Sequence, residues 1–286
     1  MRKQTRAELF LFFAAMIWGG TFVMVKLGIE SAPQIFYTSL RFLISGIFFV
    51  SIFFKKIFPL SKSVIKKGFI IGFFLFVGFL AQANGLKITT ASKSSFITGM
   101  LIVFTPLLQI FIAKKLPRIG NIIGVIVVMF GLYLLTSHKG SEFNFGDLLT
   151  LICAIFYSFY LIYLDVYSDE NVYSLTFLKF LVVGVFAFIY SLFFESLFIP
   201  KTEIFFISLS YSAFLATLLT TFLQTNFQKE TTPTKAAIIF AVEPVIASVM
   251  AYFLLNEQIG FIGYLGGGLI LIGILISELW ITKKDE

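Results

Sequence analysis

Apolar runs about as long as a bilayer is thick recur along this chain, and that recurrence limits its fold more than any other feature. A hydrocarbon core of ~30 Å needs roughly 20 residues in helical form. Ten runs meet the requirement, at approximate limits 9–27, 34–54, 68–86, 94–113, 119–135, 148–167, 173–197, 204–227, 236–255 and 261–282. Only 13% of the residues are charged and 58% are hydrophobic, against about 25% charged in a soluble domain that must cover its surface. Much of the outer surface is therefore expected to face lipid. The connecting stretches are too short for a separate soluble domain. Arg2, Lys3 and Arg6 ahead of an apolar run imitate a secretory signal. The run extends past a signal-like core without a small-x-small cleavage site, so it reads as a retained first helix.

Orientation follows the Lys and Arg of the loops. Fifteen fall on one side: in the N-terminal tail, the 55–67 and 114–118 stretches, Lys229, Lys235 and the C-terminal tail. Five fall on the other, namely Lys26, Lys87, Lys93, Lys139 and Lys201, while Arg41 and Lys179 stay inside spans. The asymmetry places both termini in the cytoplasm, with the chain multi-pass in the cell (cytoplasmic) membrane. The loop with Asp165, Asp169 and Glu170 is acidic where a basic one is expected, but acids count little in this rule. The net charge of +7 thus reads as membrane orientation, and the 55–67 loop suits an anionic leaflet; no nucleic-acid partner is expected.

Cys153 is the only cysteine and His138 the only histidine, which excludes an intramolecular disulfide and a clustered His or thiolate metal site. No cofactor is expected. Sparse His and acidic residues also oppose a membrane enzyme acting on lipid or sugar precursors, and no Walker-type phosphate loop is present for ATP hydrolysis.

The chain repeats itself. A shift of 142 positions sets Gln82, Asn84, Lys87, Thr89, Thr90 and Lys93 on Gln224, Asn226, Lys229, Thr231, Thr232 and Lys235, and carries Gly124 and Gly131 onto Gly266 and Gly273. Nearer the start, a shift of 138 sets Arg41 against Lys179, and one of 139 sets Trp18 and Thr21 against Tyr157 and Tyr160. Apolar helices resemble one another by composition; polar residues matching at fixed spacing point to duplication. Residues 1–138 and 145–282 are the expected halves. Five spans per half is an odd number, so the second half must enter from the opposite side. The expected architecture is all-α, ten transmembrane helices as two inverted five-helix repeats around a central cavity, as in many secondary transporters.

Trp18-Gly-Gly-Thr-Phe in the first span, Arg41-Phe in the second, the fourth-span stretch from Ala91-Ser-Lys-Ser-Ser-Phe-Ile-Thr98 to Pro106, and Glu243-Pro244 in the ninth carry a family likeness. In that order the chain resembles the EamA family of the drug/metabolite transporter superfamily, one unit per half. The resemblance implies ten helices around a cavity and export or exchange of amino acids, metabolites or drugs. Span six departs from it, with Tyr157-Ser158 where the repeat favours Trp-Gly.

Charges near the bilayer centre are costly and face a cavity or a partner. Arg41 is the candidate for an anionic group and Glu243 for a cationic group or a coupling proton; their bland alternative is to pair with each other or with backbone carbonyls, as structural ties between the repeats. Trp18 with Thr21, and Tyr157 with Tyr160, offer aromatic clamps from each half. Tyr37, Arg41 and Ser45 share one helix face. Thr98 in span four, Gln82, and Gln224 with Thr217, Thr220 and Thr221 supply polar stripes, which serve a water path or interhelical bonding. Pro106 and Pro244 are candidate hinges, since each removes a helix hydrogen bond. Gly120-x-x-x-Gly124 and Gly263-x-x-x-Gly267 allow close helix approach, within a monomer first and in a weak homodimer second. The expected function is a secondary transporter of a small organic solute, working as exporter or exchanger by alternating access. The alternative is a lipid or polyprenyl-phosphate translocator using Arg41 and Lys179.

Overall fold

The computed structural model describes residues 3–113, 119–136, 142–231, 233–240, 242–258 and 260–279. His138 and the basic residues at 2, 114–118, 139 and beyond 279 lie outside them. Among the described residues all regular structure is helical: α1 (Lys3–Glu30), α2 (Gln34–Ile57), α3 (Lys62–Ile88), α4 (Ala91–Gly99), α5 (Leu101–Ala113), α6 (Ile119–Thr136), α7 (Phe145–Val166) and α8 (Val172–Phe194). There follow α9 (Glu203–Ser210), a π-helical stretch Tyr211–Leu219, α10 (Thr220–Phe227), α11 (Pro233–Phe240), α12 (Glu243–Leu255) and α13 (Gly260–Leu279). Seven stretches are long and apolar enough to cross a membrane: α1, α2, α3, α4 with α5, α7, α8, and the run from α9 to Glu230. Shorter apolar helices lie in α6, α12 and α13. Helices meet the demand that a bilayer makes, because each satisfies its own backbone hydrogen bonds. Large apolar side chains such as Phe111, Phe193, Phe253 and Phe261 stand more than 70% exposed, as lipid-facing residues must. α1 outruns the apolar limit read from sequence, beginning at Lys3, since a helix continues into polar surroundings, whereas α8 stops at Phe194, short of the expected 197, where Glu195 turns extended.

The helix starts are closed by two kinds of acceptor. Ser61, Thr90 and Asn171 cap α3, α4 and α8 from the preceding residue, and Asn144 with Asp147 forms a capping box on α7. Elsewhere a carboxylate arrives from far along the chain. Glu195 accepts from the Ile35 and Phe36 amides at the start of α2 (2.9 and 2.8 Å). Glu257 accepts from Ala91 and Ser92 at the start of α4 (2.9 and 3.0 Å) and stands 3.5 Å from Lys26. A negative charge at a helix N-terminus is favoured by the unpaired amides and the macrodipole. On the same face Lys93 and Asp147 form a buried ion pair at 2.7 Å.

The opposite face resolves the acidic loop. Glu170 meets Lys67 at 2.6 Å and accepts from Ser63 at 2.7 Å, so the acid lies on the basic first turns of α3. The Lys67 ammonium and then the Ser63 hydroxyl hold the Glu170 carboxyl below its ordinary value of 4.5. A lowered acid stabilises the fold fully above its unfolded pKa and progressively less as pH falls through its folded one. Acid unfolding titrations should therefore lose part of their slope below about pH 4.5 in Glu170→Gln. An unchanged slope would remove this pair from the acid response.

Between the faces, helix pairing follows one scheme. α2 packs on α8 and α6 on α13; α3 packs on α7 and α8, as the α9–α10 span packs on α1 and α2. The α4–α5 span meets α7, as α11 and α12 meet α1. Exchanging the first five stretches for the last five leaves the scheme unchanged. α6 and α13 approach most closely at glycines: a Cβ on Gly131 would stand 2.7 Å from the Gly266 carbonyl, and one on Gly273 2.8 Å from that of Gly124. Gly267 lies under the Phe96 ring. These small-residue positions thus serve contacts within the chain. Gly131→Ala should destabilise by about 1–3 kcal/mol through overpacking, whereas Gly268→Ala, with nothing within 4 Å, should not; thermal unfolding of the two variants compares them.

Two spans are broken, and not where proline alone predicts. The fourth parts at Met100 between α4 and α5, ahead of Pro106, which sits inside α5. The ninth parts before Glu243, and Pro244 lies in the first turn of α12. There its missing N–H is one of the amides without an intrahelical partner anyway, so the expected loss of a mid-helix bond at Pro244 is corrected.

Candidate functional site

A central cavity of about 90 Å³ opens between the helices. Trp18 and Thr21 of α1, Arg41 of α2, Gln82 of α3, Thr98 of α4, Tyr157 and Tyr160 of α7, Gln224 of α10 and Glu243 of α12 all line it. Side chains far apart in sequence and drawn from both halves thus meet around one small space. Tyr37 does not. Its hydroxyl lies between Ser208 and Ser212 at 2.6 and 2.8 Å, and Ser45 donates to the Ala213 carbonyl at 2.8 Å. The expected Tyr37–Arg41–Ser45 face is mostly a seam against the π-helical span; Arg41 alone reaches the cavity.

The π-helical stretch explains how that seam is held. Its wider turns bond five residues back, as when the Thr220 amide donates to the Leu215 carbonyl, and such stretches recur at functional sites. Carbonyls along it take side-chain donors from the first half: Ser45 on Ala213, and the Trp18 indole N–H on Ala216 at 2.9 Å. Thr217 in the same stretch accepts from the Arg41 Nε at 2.8 Å.

Arg41 is only 2% exposed, and its guanidinium carbon lies 5.1 and 5.4 Å from the centres of the Phe79 and Phe42 rings. Aromatic faces attract a cation without neutralising it. No ion pair joins Arg41 to Glu243 among the described residues, so the two charges are not each other's partner. Trp18 also stacks edge-on to Phe240, ring centres 5.2 Å apart, while the Thr21 hydroxyl donates to the Ile17 carbonyl of its own helix at 2.9 Å. A Cβ on Gly78 would fall 2.3 Å from the Tyr157 ring, so this glycine is what admits the tyrosine that replaces the repeat's tryptophan. The Tyr157 hydroxyl donates to Gln82 Oε1 at 3.3 Å, and the Tyr160 hydroxyl to Gln224 Oε1 at 2.8 Å.

Several wall residues escaped the sequence reading. Phe79, Phe240 and Leu101 are apolar and carry no signal that separates cavity from core. The Cys153 thiol lies beside Tyr157 and Thr98, which only the folded chain reveals. Behind the wall, Lys179 is fully buried and bonds to Tyr160 and Thr225; its place inside an apolar span and its alignment with Arg41 are the sequence clues to it.

Helices that expose apolar side chains outward and gather charged, amide and aromatic groups around an inner cavity define a multi-pass membrane protein of transporter type. The comparisons agree. The EamA-like transporter family matches residues 5–137 and 144–279, and the chain belongs to that family. An uncharacterized transporter of Archaeoglobus fulgidus is 31% identical over 97% of this chain and 87% of its own length. The uncharacterized transporter YoaV of Bacillus subtilis is 21% identical over 94% and 95%, and the uncharacterized inner membrane transporter YedA of Escherichia coli 24% identical over 94% and 89%. A solved crystal structure superposes with a TM-score of 0.75 at 15% identity, covering 99% of this chain and 100% of the other, which shows a shared fold.

Proposed function

We propose that the chain is a secondary transporter that moves a small organic solute across the cytoplasmic membrane by alternating access, as an exporter or exchanger. The observation that carries the reading is the cavity itself, where Arg41 and Glu243 face a common space without pairing. A buried charge without a fixed counterion is costly, and a solute carrying the opposite charge relieves that cost. In this reading ten spans form two inverted five-helix repeats, with both termini cytoplasmic. Exchange of the halves in the packing scheme supports it, because two equivalent packings interconvert with little net change in energy. The breaks at Met100 and before Glu243 then serve as hinges, with Pro106 and Pro244 stiffening the segments that follow them.

Counterflow in proteoliposomes tests the proposal. Preloaded unlabelled solute should accelerate and saturate uptake of the labelled form, and empty liposomes should not do so. Repeating the flux across a pH gradient separates proton coupling through Glu243 from simple exchange, since exchange is indifferent to the gradient. A purified protein that carries no counterflow for any solute it binds would defeat transport.

A further inference from the structure

We infer that the cavity selects organic anions, and that Lys179, outside the wall, enforces this by fixing which end of the Gln224 amide faces the solute. The inference rests on the transport reading and names its substrate class.

The argument is one of donors and acceptors. Lys179 is 0% exposed, seven residues into α8, and no acidic partner accompanies it among the described residues. Its ammonium has protons to give and cannot accept. It donates to the Tyr160 oxygen at 3.0 Å and to Thr225 Oγ1 at 2.5 Å. Thr225 passes its own proton to the Thr221 carbonyl at 2.6 Å. Tyr160, having accepted from the lysine, turns its single proton to Gln224 at 2.8 Å. A hydroxyl that donates requires an oxygen opposite it, so the Gln224 carbonyl is held against Tyr160 and the NH₂ is left over. Without Lys179 the phenol would serve equally as acceptor, and the amide would be free to turn round.

Gln224 lines the cavity, and its nitrogen has no hydrogen-bond partner among the described residues. Gln82, its counterpart in the first half, shows the same arrangement with Tyr157 on its carbonyl. Among the described residues Arg41 has only its Nε engaged, by Thr217. Around this space the groups left to bind a solute are therefore mainly donors: the guanidinium end of Arg41 and two amide nitrogens. Glu243 is the single carboxylate in the wall. A solute with carboxylate or phosphate oxygens matches such a set, and a simple cation does not.

Trp18 is in the wall and Trp280 is the only other tryptophan, so Trp280→Phe leaves one indole to report binding. Four probes are titrated against this protein: succinate, glycerol 3-phosphate, leucine and choline. At least one of the two acidic probes should give a saturable Trp18 response, and choline should bind at least about tenfold more weakly. Gln224→Glu keeps the oxygen that Tyr160 requires and turns the donor into an acceptor; it should weaken the acidic probe about 100-fold, in line with losing and then opposing a hydrogen bond to a charge. Tyr160→Phe and Lys179→Met should weaken it about tenfold and narrow its preference over choline, with the folded yield of Tyr160→Phe unchanged. A merely structural Lys179 would lower binding of all probes together. No response to either acidic probe, or choline bound as tightly as they are, or Gln224→Glu binding them normally, overturns the inference. Acidic probes that bind but show no counterflow would defeat transport and leave the selectivity standing; counterflow of choline alone would do the reverse.

Discussion

Arg41→Gln should reduce saturable proteoliposome flux by roughly 100-fold, and Arg41→Lys should recover only part of it. The guanidinium reaches the cavity from a position that is 2% exposed, with Nε tied to Thr217 and its carbon over the Phe79 and Phe42 rings. That fixing presents the terminal nitrogens in one orientation, suited to two parallel bonds to a carboxylate or phosphate. Each hydrogen bond to a charged group is worth about 1.5–3 kcal/mol, so losing two accounts for a change of this size. Lysine restores the charge but neither the fork nor the stacking. Glutamine ends where the arginine Nε stands and can keep the bond to Thr217, so the protein should elute as a single species after purification, separating loss of transport from loss of fold. Wild-type flux from Arg41→Gln would remove this residue from the binding set.

Asp147→Ala should cost about 3–5 kcal/mol of stability, the range for removing one member of a buried ion pair. Three interactions end on this carboxylate, which is 0% exposed. It accepts from the Thr89 hydroxyl, pairs with Lys93 at 2.7 Å, and takes the Asn144 amide at 3.0 Å in the capping box of α7. Alanine leaves Lys93, itself buried, without its carboxylate and removes the acceptor of the Asn144 N–H, while Asn144 Oδ1 still accepts from the amide at position 147. Replacing both charges with apolar residues, as in Lys93→Met with Asp147→Leu, should recover much of the loss, because no charge is then stranded. Equilibrium unfolding in mixed micelles measures both. A double variant no more stable than Asp147→Ala would place the cost in the cap and not in the charge pair.

How far the fold can be read from sequence depends on which physical signal each feature leaves. The membrane stretches are legible because a bilayer imposes a length, and the likeness of the halves because Gln, Asn, Lys and Thr match at fixed offsets. Trp18, Arg41, Gln82, Thr98, Gln224 and Glu243 stand out as polar or aromatic groups in apolar runs, and the structure gathers them around one cavity. Tyr37 stands out equally and is spent on Ser208 and Ser212. Helical periodicity says which residues share a face; it does not say whether a neighbouring helix or open space lies opposite. The break at Met100 follows Gly99, yet single glycines recur within the unbroken helices too and do not announce a break, and the π-helical stretch depends on hydrogen bonds that only packing selects. Glu195, inside the expected 173–197 run, and Glu257, between the last two runs, carry no sequence sign of a capping role, because it is exercised on α2 and α4, more than a hundred residues away.

The pairing of α6 with α13 has a mechanical corollary. The two helices meet backbone to backbone through Gly131 and Gly273, touch α5 and α11 only lightly, and contribute no described side chain to the cavity wall. A rearrangement that opens the pocket first to one side and then to the other need not pull them apart. They can ride through the cycle as a stationary keel while the remaining spans rock beside them, so labels placed across that pair should report a constant separation when labels across the pocket report two.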